Sequence, residues 1–222
     1  MPIYSESLNI NNEQPKPQKP MQSFNQLVNT LSQQGKRIEC LPGDILRQRT
    51  DNEKVNCYVL QSGHYTLVRS RDDLALTNVS APMVVGLPEV FQPMVAGMYY
   101  LRVETTGVIT RLDGEMVAKI ISESNMWESF GQVLSYFTCV LYQRDNELFG
   151  QSVYHMVRYF LREMMQAPTE LRMLNNVAHY ILQRSQVSRS SVMRIISQLR
   201  IGGYIVVQNG RLIKINSLPE FY

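Results

Sequence analysis

Residues 188–204 read Ser-Arg-Ser-Ser-Val-Met-Arg-Ile-Ile-Ser-Gln-Leu-Arg-Ile-Gly-Gly-Tyr, and the predicted architecture is built outward from this segment. Ser188 suits a helix N-cap, because its hydroxyl can accept a hydrogen bond from a free backbone N–H of the first turn. Apolar residues recur at steps of three and four and predict a buried stripe at Val192, Ile195, Ile196 and Leu199. Gly202 or Gly203 can adopt the left-handed conformation that ends such a helix. We therefore predict a helix of about three turns.

The opposite face of this helix is polar and basic. A short helix with arginines near its N-terminus and small polar neighbours fits the major groove of DNA, where arginine pairs with guanine. We expect DNA contacts from the cap, from this face and from one arginine further on, namely Ser188, Arg189, Ser190, Arg194, Gln198 and Arg211.

The flanking segments predict the rest of a winged helix-turn-helix. Residues 177–184 have the pattern of a helix with Val177, Tyr180 and Ile181 facing inward, and residues 185–187 would form the turn. After the glycines, two apolar runs flank Asn209-Gly210. Asn-Gly between apolar runs indicates a β-hairpin, because both residues tolerate positive φ.

Charge is unevenly distributed along the chain. Between Glu170 and Glu220 there are seven Lys or Arg and no Asp or Glu, whereas the remainder carries 15 basic and 19 acidic residues. A basic end on an acidic body is typical of proteins that bind nucleic acid. A solvated basic surface without a ligand is the alternative, and the helix-turn-helix pattern favours DNA.

Composition excludes several classes of protein. The chain has 222 residues, of which 44% are hydrophobic, enough for one large or two small globular domains. It has no run of about 18 apolar residues, and its start lacks the pattern of a signal peptide, so we expect a cytoplasmic protein with no membrane partner. Cys40, Cys57 and Cys139 are too far apart for a paired metal site or a disulfide framework, which fits a reducing compartment. Whether one of them senses redox state is left open.

The N-terminal half predicts an arm followed by a β-roll. Residues 1–20 are polar and proline-rich and are expected to form a disordered arm. An amphipathic helix over 21–34 would end at Gly35. Seven short strands with turn signals follow between Arg37 and Asp113, and a helix from Glu115 to Glu123 completes the domain 21–124. Short strands at close spacing indicate an antiparallel sandwich or roll.

Residues 125–149 predict one long helix, opened by Asn125 and Glu128 as a capping box. Its steps of three and four are those of the a and d positions of a coiled coil, at Trp127, Phe130, Leu134, Phe137 and Leu141. This seam could pack on the chain's own roll. A second apolar face at Val133, Tyr136 and Val140 can pack on the roll instead, so we expect the seam to pair with a second copy of the chain in a homodimer.

A further helix over 151–166 opens the DNA-binding domain, 150–222. The predicted fold class is α+β.

This order of elements resembles the catabolite activator/fumarate-nitrate regulator superfamily. Three strings are similar to the enterobacterial inhibitor of hydrogen peroxide resistance family, namely residues 179–190, Gly203-Tyr204-Ile205 and 215–222. The resemblance implies a cytoplasmic, homodimeric transcriptional regulator that binds double-stranded DNA and affects oxidative-stress resistance. RNA polymerase is a further candidate partner.

The sequence departs from the superfamily pattern at the nucleotide-binding positions of the roll and at one position of the recognition helix. Nucleotide-binding members have Gly-Glu where this chain has Gly86-Leu87, and an Arg about ten residues on, whereas no Arg lies between Val85 and Tyr100. A phosphate buried without a cation would cost several kcal/mol, so we do not expect cyclic AMP to bind. The chain also lacks the N-terminal cysteine cluster of the iron–sulfur members, and we expect no cofactor. Whether the roll binds another small molecule or none is left open. Ser190 stands where the superfamily has an acid that accepts from cytosine, so a different DNA site is expected.

Two other classes of protein compete with a DNA-binding regulator. A roll-type metalloenzyme would need two or three histidines on the roll, and His64 is the only one there, so we expect no metal site and no enzyme. A protein-interaction or small-ligand-binding regulator, with a degenerate roll and little DNA specificity, is the alternative to a sequence-specific one. The operator, the effector and the sign of regulation are left open.

Overall fold

The computed structural model describes residues 17–49 and 54–220. Most of the predicted arm, residues 1–16, lies outside that part of the chain. The end of the arm rests on the roll, where the Lys19 Nζ donates to the Ser80 carbonyl oxygen at 3.1 Å and lies 4.9 Å from the centre of the Phe24 ring. Residues 17–20 are therefore attached to the domain that follows them.

Two four-stranded antiparallel sheets form the N-terminal roll, which confirms the predicted α+β class. The first has the order β1 (Lys36–Cys40), β8 (Gly107–Asp113), β3 (Asn56–Ser62) and β6 (Met83–Val85). The second has the order β2 (Ile45–Arg47), β7 (Tyr99–Val103), β4 (His64–Arg69) and β5 (Leu74–Ser80). Strand β2 was not anticipated.

Three helices pack around the roll: α1 (Met21–Leu31), α2 (Leu87–Phe91) and α3 (Gly114–Glu123). Helix α1 buries Phe24, Leu27 and Leu31, and it ends three residues before the predicted end. Gly35 does not cap it. A Cβ on Gly35 would lie 2.6 Å from the Arg111 carbonyl oxygen, so the glycine allows close approach to β8. Helix α3 begins as predicted.

Helix α4 (Trp127–Leu148) is the long helix, but the predicted capping box is wrong. Asn125 has φ +51° and lies in the tight connection after α3, and Met126 is the N-cap without a side-chain hydrogen bond. The reason is that only Ser124, Asn125 and Met126 separate α3 from α4, so Asn125 belongs to this short connection and not to the helix cap. Ser129 and Val133 are the residues of α4 that are buried against the roll.

A second core holds the C-terminal domain together. Its elements are α5 (Val153–Gln166), α6 (Thr169–Leu174), α7 (Val177–Leu182), α8 (Arg189–Ile201), β9 (Ile205–Gln208) and β10 (Arg211–Ile215). Tyr154, Val157, Leu161 and Met164 line its core, whereas α6 was not anticipated. In the parts of the chain that the structure covers, no helix is long and apolar enough to cross a membrane.

The C-terminal domain is docked on strand β5 of the roll. The Ala75 N–H donates to the Gln183 carbonyl oxygen at 2.8 Å. The Arg184 Nη2 donates to the Asn78 Oδ1 at 2.7 Å, and the Asn78 Nδ2 donates to the Tyr180 hydroxyl at 2.8 Å. The Arg184 guanidinium also stacks 3.6 Å from the centre of the Tyr180 ring. We call Asn78, Tyr180 and Arg184 the interdomain clasp.

Candidate nucleic-acid interface

Helix α8 begins at the predicted cap. The Ser188 Oγ accepts from the Ser191 N–H at 3.2 Å, and it lies 3.0 Å from the Ser190 Oγ. The cap fixes the first turn, from which Arg189 and Ser190 project. Ser188 is therefore committed to holding the helix end, so its role at a DNA interface is mainly one of positioning.

The buried and exposed faces of α8 are those predicted. Its buried residues are Val192, Ile195, Ile196 and Leu199. Arg189, Ser190, Arg194 and Gln198 are exposed. Neither Arg189 nor Arg194 forms an ion pair with any residue that the structure describes, so both guanidinium groups are available to a base edge or a phosphate.

Sequence reasoning missed two exposed residues on the same face, Met193 and Ser197. Met193 is apolar and was not considered, although its exposure between the two arginines follows from the same helical periodicity. Serine can contact either kind of base pair, and an apolar side chain can contact the methyl group of thymine. The helical periodicity therefore predicts the exposure of Met193 and Ser197, and an apolar residue is easily overlooked when only polar contacts are sought.

The connection between α7 and α8 is longer than the predicted three-residue turn. Helix α7 ends at Leu182, so residues 183–188 link the two helices. The Asn176 Oδ1 caps α7 by accepting from the Ala178 and His179 N–H groups at 3.0 and 3.2 Å. Arg184 of the interdomain clasp lies within this connection.

The wing is a tight hairpin of β9 and β10. Asn209 and Gly210 have φ +49° and +75°, the conformation expected of an Asn-Gly turn. The Gly210 carbonyl oxygen accepts from the Val177 N–H at 2.8 Å, which ties the wing to α7. The Arg211 Nη1 donates to the Leu174 carbonyl oxygen, so part of this guanidinium braces the wing against α6. Its remaining N–H groups would have to make the predicted DNA contact.

Some residues of the predicted dimer seam on α4 are exposed to solvent, and others pack on the roll of their own chain. Trp127 and Leu141 are 46% and 61% exposed, and Leu134 is half-buried. Phe130 and Phe137 pack partly on their own roll, with ring centres 4.9 Å from Phe91 and 5.9 Å from Phe24. The outward part of the seam is thus Trp127 and Leu141, whereas Leu134 also packs partly against the roll.

The roll position that holds ribose in nucleotide-binding superfamily members is apolar here. Leu87 is fully buried in the core at the start of α2. Arg102 on β7, the nearest cation in sequence, donates from Nε to the Glu104 Oε1 at 2.9 Å and lies at the junction with the C-terminal domain. No group of His, Cys, Asp and Glu side chains among the described residues is arranged to hold a metal ion.

Comparisons with known proteins agree with this geometry. A family model of winged helix-turn-helix DNA-binding domains matches residues 153–220. The inhibitor of hydrogen peroxide resistance of Salmonella typhimurium is 33% identical over 204 residues, which cover 92% of this chain and 98% of that protein. This chain belongs to the inhibitor of hydrogen peroxide resistance family. The Escherichia coli K12 member is 29% identical over the same length.

Solved structures show the same fold at lower identity. The c-di-GMP-responsive global regulator CLP of Xanthomonas campestris has a TM-score of 0.68 at 13% identity, covering 87% of this chain and 100% of that one. A CRP/FNR-family transcriptional regulator of Thermus thermophilus has a TM-score of 0.60 at 18% identity, covering 81% and 94%. Both solved structures are of regulators, and the likeness shows that this chain shares their fold.

Proposed function

We propose that this protein is a sequence-specific, homodimeric DNA-binding regulator that affects resistance to hydrogen peroxide and does not bind cyclic nucleotides. The main support is the capped helix α8, which presents Arg189 and Arg194 without ion-pair partners among the described residues. The peroxide link rests on the name of the relatives. RNA polymerase is the further partner we propose at its promoters.

Sequence specificity would come from direct contacts of α8 with base edges. Each bidentate contact between arginine and guanine contributes about 1–3 kcal/mol of discrimination. Ser190 carries no charge, so the cytosine contact made by an acid at this position is lost. We therefore propose a recognition sequence different from that of the catabolite activator, with Arg189 and Arg194 retained as its main readers.

The dimer would place two copies of α8 on one face. The outward part of the seam, Trp127 and Leu141, is apolar and exposed in the single chain, and Leu134 between them is half-buried. Apolar a and d positions are buried when two such helices pair. A two-fold axis along α4 would then direct the two recognition helices to half-sites about one turn of DNA apart.

The test is to map the DNA sites bound by the protein in cells with and without peroxide, and then to measure affinity for one mapped site. Arg189→Ala and Arg194→Ala should each weaken specific binding about tenfold to a hundredfold, corresponding to about 1–3 kcal/mol. Arg37→Ala, exposed on β1, is the matched control. Equal affinity for mapped and unrelated DNA would instead support a regulator with little DNA specificity, and a salt titration would show whether only phosphate contacts remain.

A further inference from the structure

A cleft of about 300 Å³ lies where the roll, the end of α4, helix α5 and the α7–α8 connection meet. Its lining comes from the β4–β5 hairpin, from residues 144–149, and from Arg184, Ser185 and Gln186. The volume is at the lower end of the range for small-molecule sites. The cleft is separate from the exposed face of α8 and from the roll position of Leu87.

Four arginines line this cleft against one acid. Arg69 is already neutralised, because its Nε and Nη2 donate to the Asp72 carboxylate at 2.8 and 2.7 Å. Arg71 approaches the same carboxylate only at 3.7 Å, and its side chain is 72% exposed. Asp145 is the one acid in the lining and is exposed.

The other two arginines have only neutral acceptors within hydrogen-bond distance among the described residues. The Arg144 Nε donates to the Leu76 carbonyl oxygen at 3.3 Å. Arg184 is 4% exposed, donates to Asn78 and to the Tyr180 carbonyl oxygen, and its Nε has no hydrogen-bond partner. A buried guanidinium without a paired anion is costly, and an anion in the cleft would offset that cost.

The rest of the lining is mostly apolar. Leu74, Leu148, Phe149, Met156 and Phe160 contribute to it, and Ser185 and Gln186 add polar groups. A lining that combines cations with apolar side chains favours a ligand that has an anionic group on an apolar body. Inorganic phosphate alone would leave the apolar wall in contact with water.

We propose that this cleft binds a small organic anion in which a phosphate group is attached to an aromatic or aliphatic body. Arg71 and Arg144 meet the phosphate, the buried Arg184 adds its positive charge from the wall of the cleft, and Leu148 and Met156 cover the body. An occupant touches the roll, the end of α4 and the α7–α8 connection at once. The binding itself does not depend on the function proposed above, whereas any effect on DNA affinity rests on it.

The experiment measures binding of three probes to the purified full-length protein by calorimetry, in the absence of DNA. They are 1-naphthyl phosphate, which has both groups, 1-naphthol, which lacks the anion, and inorganic phosphate, which lacks the apolar body. We expect saturable binding of one naphthyl phosphate per chain, tighter than either of the other two probes. Arg144→Gln and Arg71→Gln should each weaken it, Arg144→Gln by about tenfold or more, because each removes a charge-assisted hydrogen bond.

Two control variants separate this site from other basic surfaces. Arg194→Ala, on the exposed face of α8, and Arg37→Ala, on β1, should leave naphthyl phosphate affinity unchanged. Arg71 is exposed and outside both cores, so its variant folds even if Arg144→Gln does not. The proposal is overturned if no saturable binding occurs at millimolar naphthyl phosphate, if Arg71→Gln and Arg144→Gln bind it as the wild type does, or if Arg194→Ala abolishes the binding. Equal affinity for inorganic phosphate would overturn the assigned ligand class.

Discussion

Among single residues, Glu89 on α2 is buried in a way that links stability to pH. It is almost fully buried, and its Oε2 has no hydrogen-bond partner among the described residues. Burial raises the pKa of its carboxyl group above the ordinary value. Because the pKa in the folded state is raised, the folded state is favoured below the unfolded pKa and loses stability as pH rises through the folded pKa.

Replacing Glu89 with Gln should therefore stabilise the protein at neutral pH and have little effect in acid. Thermal unfolding followed from about pH 4 to pH 8 measures this directly. We expect the two melting curves to meet at the acid end and to separate as pH rises, with the variant melting higher. Glu115→Gln, an exposed acid on α3, serves as the control. Parallel pH profiles for wild type and Glu89→Gln would contradict the assignment.

The three cysteines differ sharply in exposure. Cys40 and Cys57 are buried, and Cys139 is exposed on α4. Burial raises the pKa of the Cys57 thiol far above its usual range, and burial together with the Asp44 charge raises that of Cys40. A thiol reagent reacts with an accessible cysteine in its thiolate form. Buried cysteines whose pKa is raised therefore react slowly.

We predict that one thiol per chain reacts rapidly with Ellman's reagent in the native protein, and three in denaturant. Cys139→Ser should remove the rapid phase while DNA binding persists. A rapid phase that survives this substitution would place the reactive thiol at Cys40 or Cys57, and would make thiol sensing from the roll the first hypothesis for a peroxide response.

At the level of secondary-structure elements, α4 carries the proposed dimer seam. Leu141→Glu should yield a monomer by sedimentation, because a glutamate at an a or d position would be desolvated without a partner in the paired state. Leu141 is 61% exposed, so the single chain tolerates the change. Leu134→Glu should act in the same direction, although Leu134 also touches the roll.

Cys139→Glu is the matched control for Leu141→Glu. Two residues along a helix rotate the side-chain direction by about 200°, so Cys139 projects from nearly the opposite side of α4. This variant should remain dimeric. A dimer that survives Leu141→Glu and Leu134→Glu would show that the subunits pair through another surface.

The start of helix α2 is the reason why we expect no binding of cyclic nucleotides. Leu87 is buried where a ribose ligand would be needed, and Arg102 is held by Glu104 at the domain junction. We therefore expect no saturable heat when millimolar cyclic AMP is titrated into the protein, and no change in DNA affinity. Saturable binding at the roll would mean that α2 rearranges to admit a polar ligand.

The elements that sequence predicts well are those defined by local patterns. The boundaries of α8 follow from a cap and a stripe only a few residues apart, and the wing follows from Asn209-Gly210. Strand β2 has three residues and is mostly exposed, and α6 has six residues, so neither shows a periodicity. The burial of Arg184 depends on Asn78, 106 residues earlier, and no local pattern contains that information.

For the molecule as a whole, the interdomain clasp holds the DNA-binding domain to the roll. Asn78→Ala removes the acceptor of the Arg184 Nη2 and a donor to the Tyr180 hydroxyl. Leaving a buried charged donor without its acceptor costs about 1–3 kcal/mol. We expect faster proteolytic cleavage in the connection between α4 and α5, residues 149–152, and a lower melting temperature. Asn146→Ala, exposed on α4, should match the wild type, and an unchanged cleavage rate in Asn78→Ala would show that the clasp does not hold the domains together.

The bond between the wing turn and α7 has a mechanical consequence. Gly210 accepts from Val177 and Arg211 donates to Leu174, so the wing is tied to both α7 and α6. Gly150, with φ +69° and open space around it, lies in the short connection that leads from α4 into the C-terminal domain. We expect the C-terminal domain to move as a unit about this connection, so that a signal from the roll would change its tilt and not its shape. In a two-fold dimer, a change in the tilt of the C-terminal domains would alter the distance between the two recognition helices. Regulation would then select operators by half-site spacing and not by base preference.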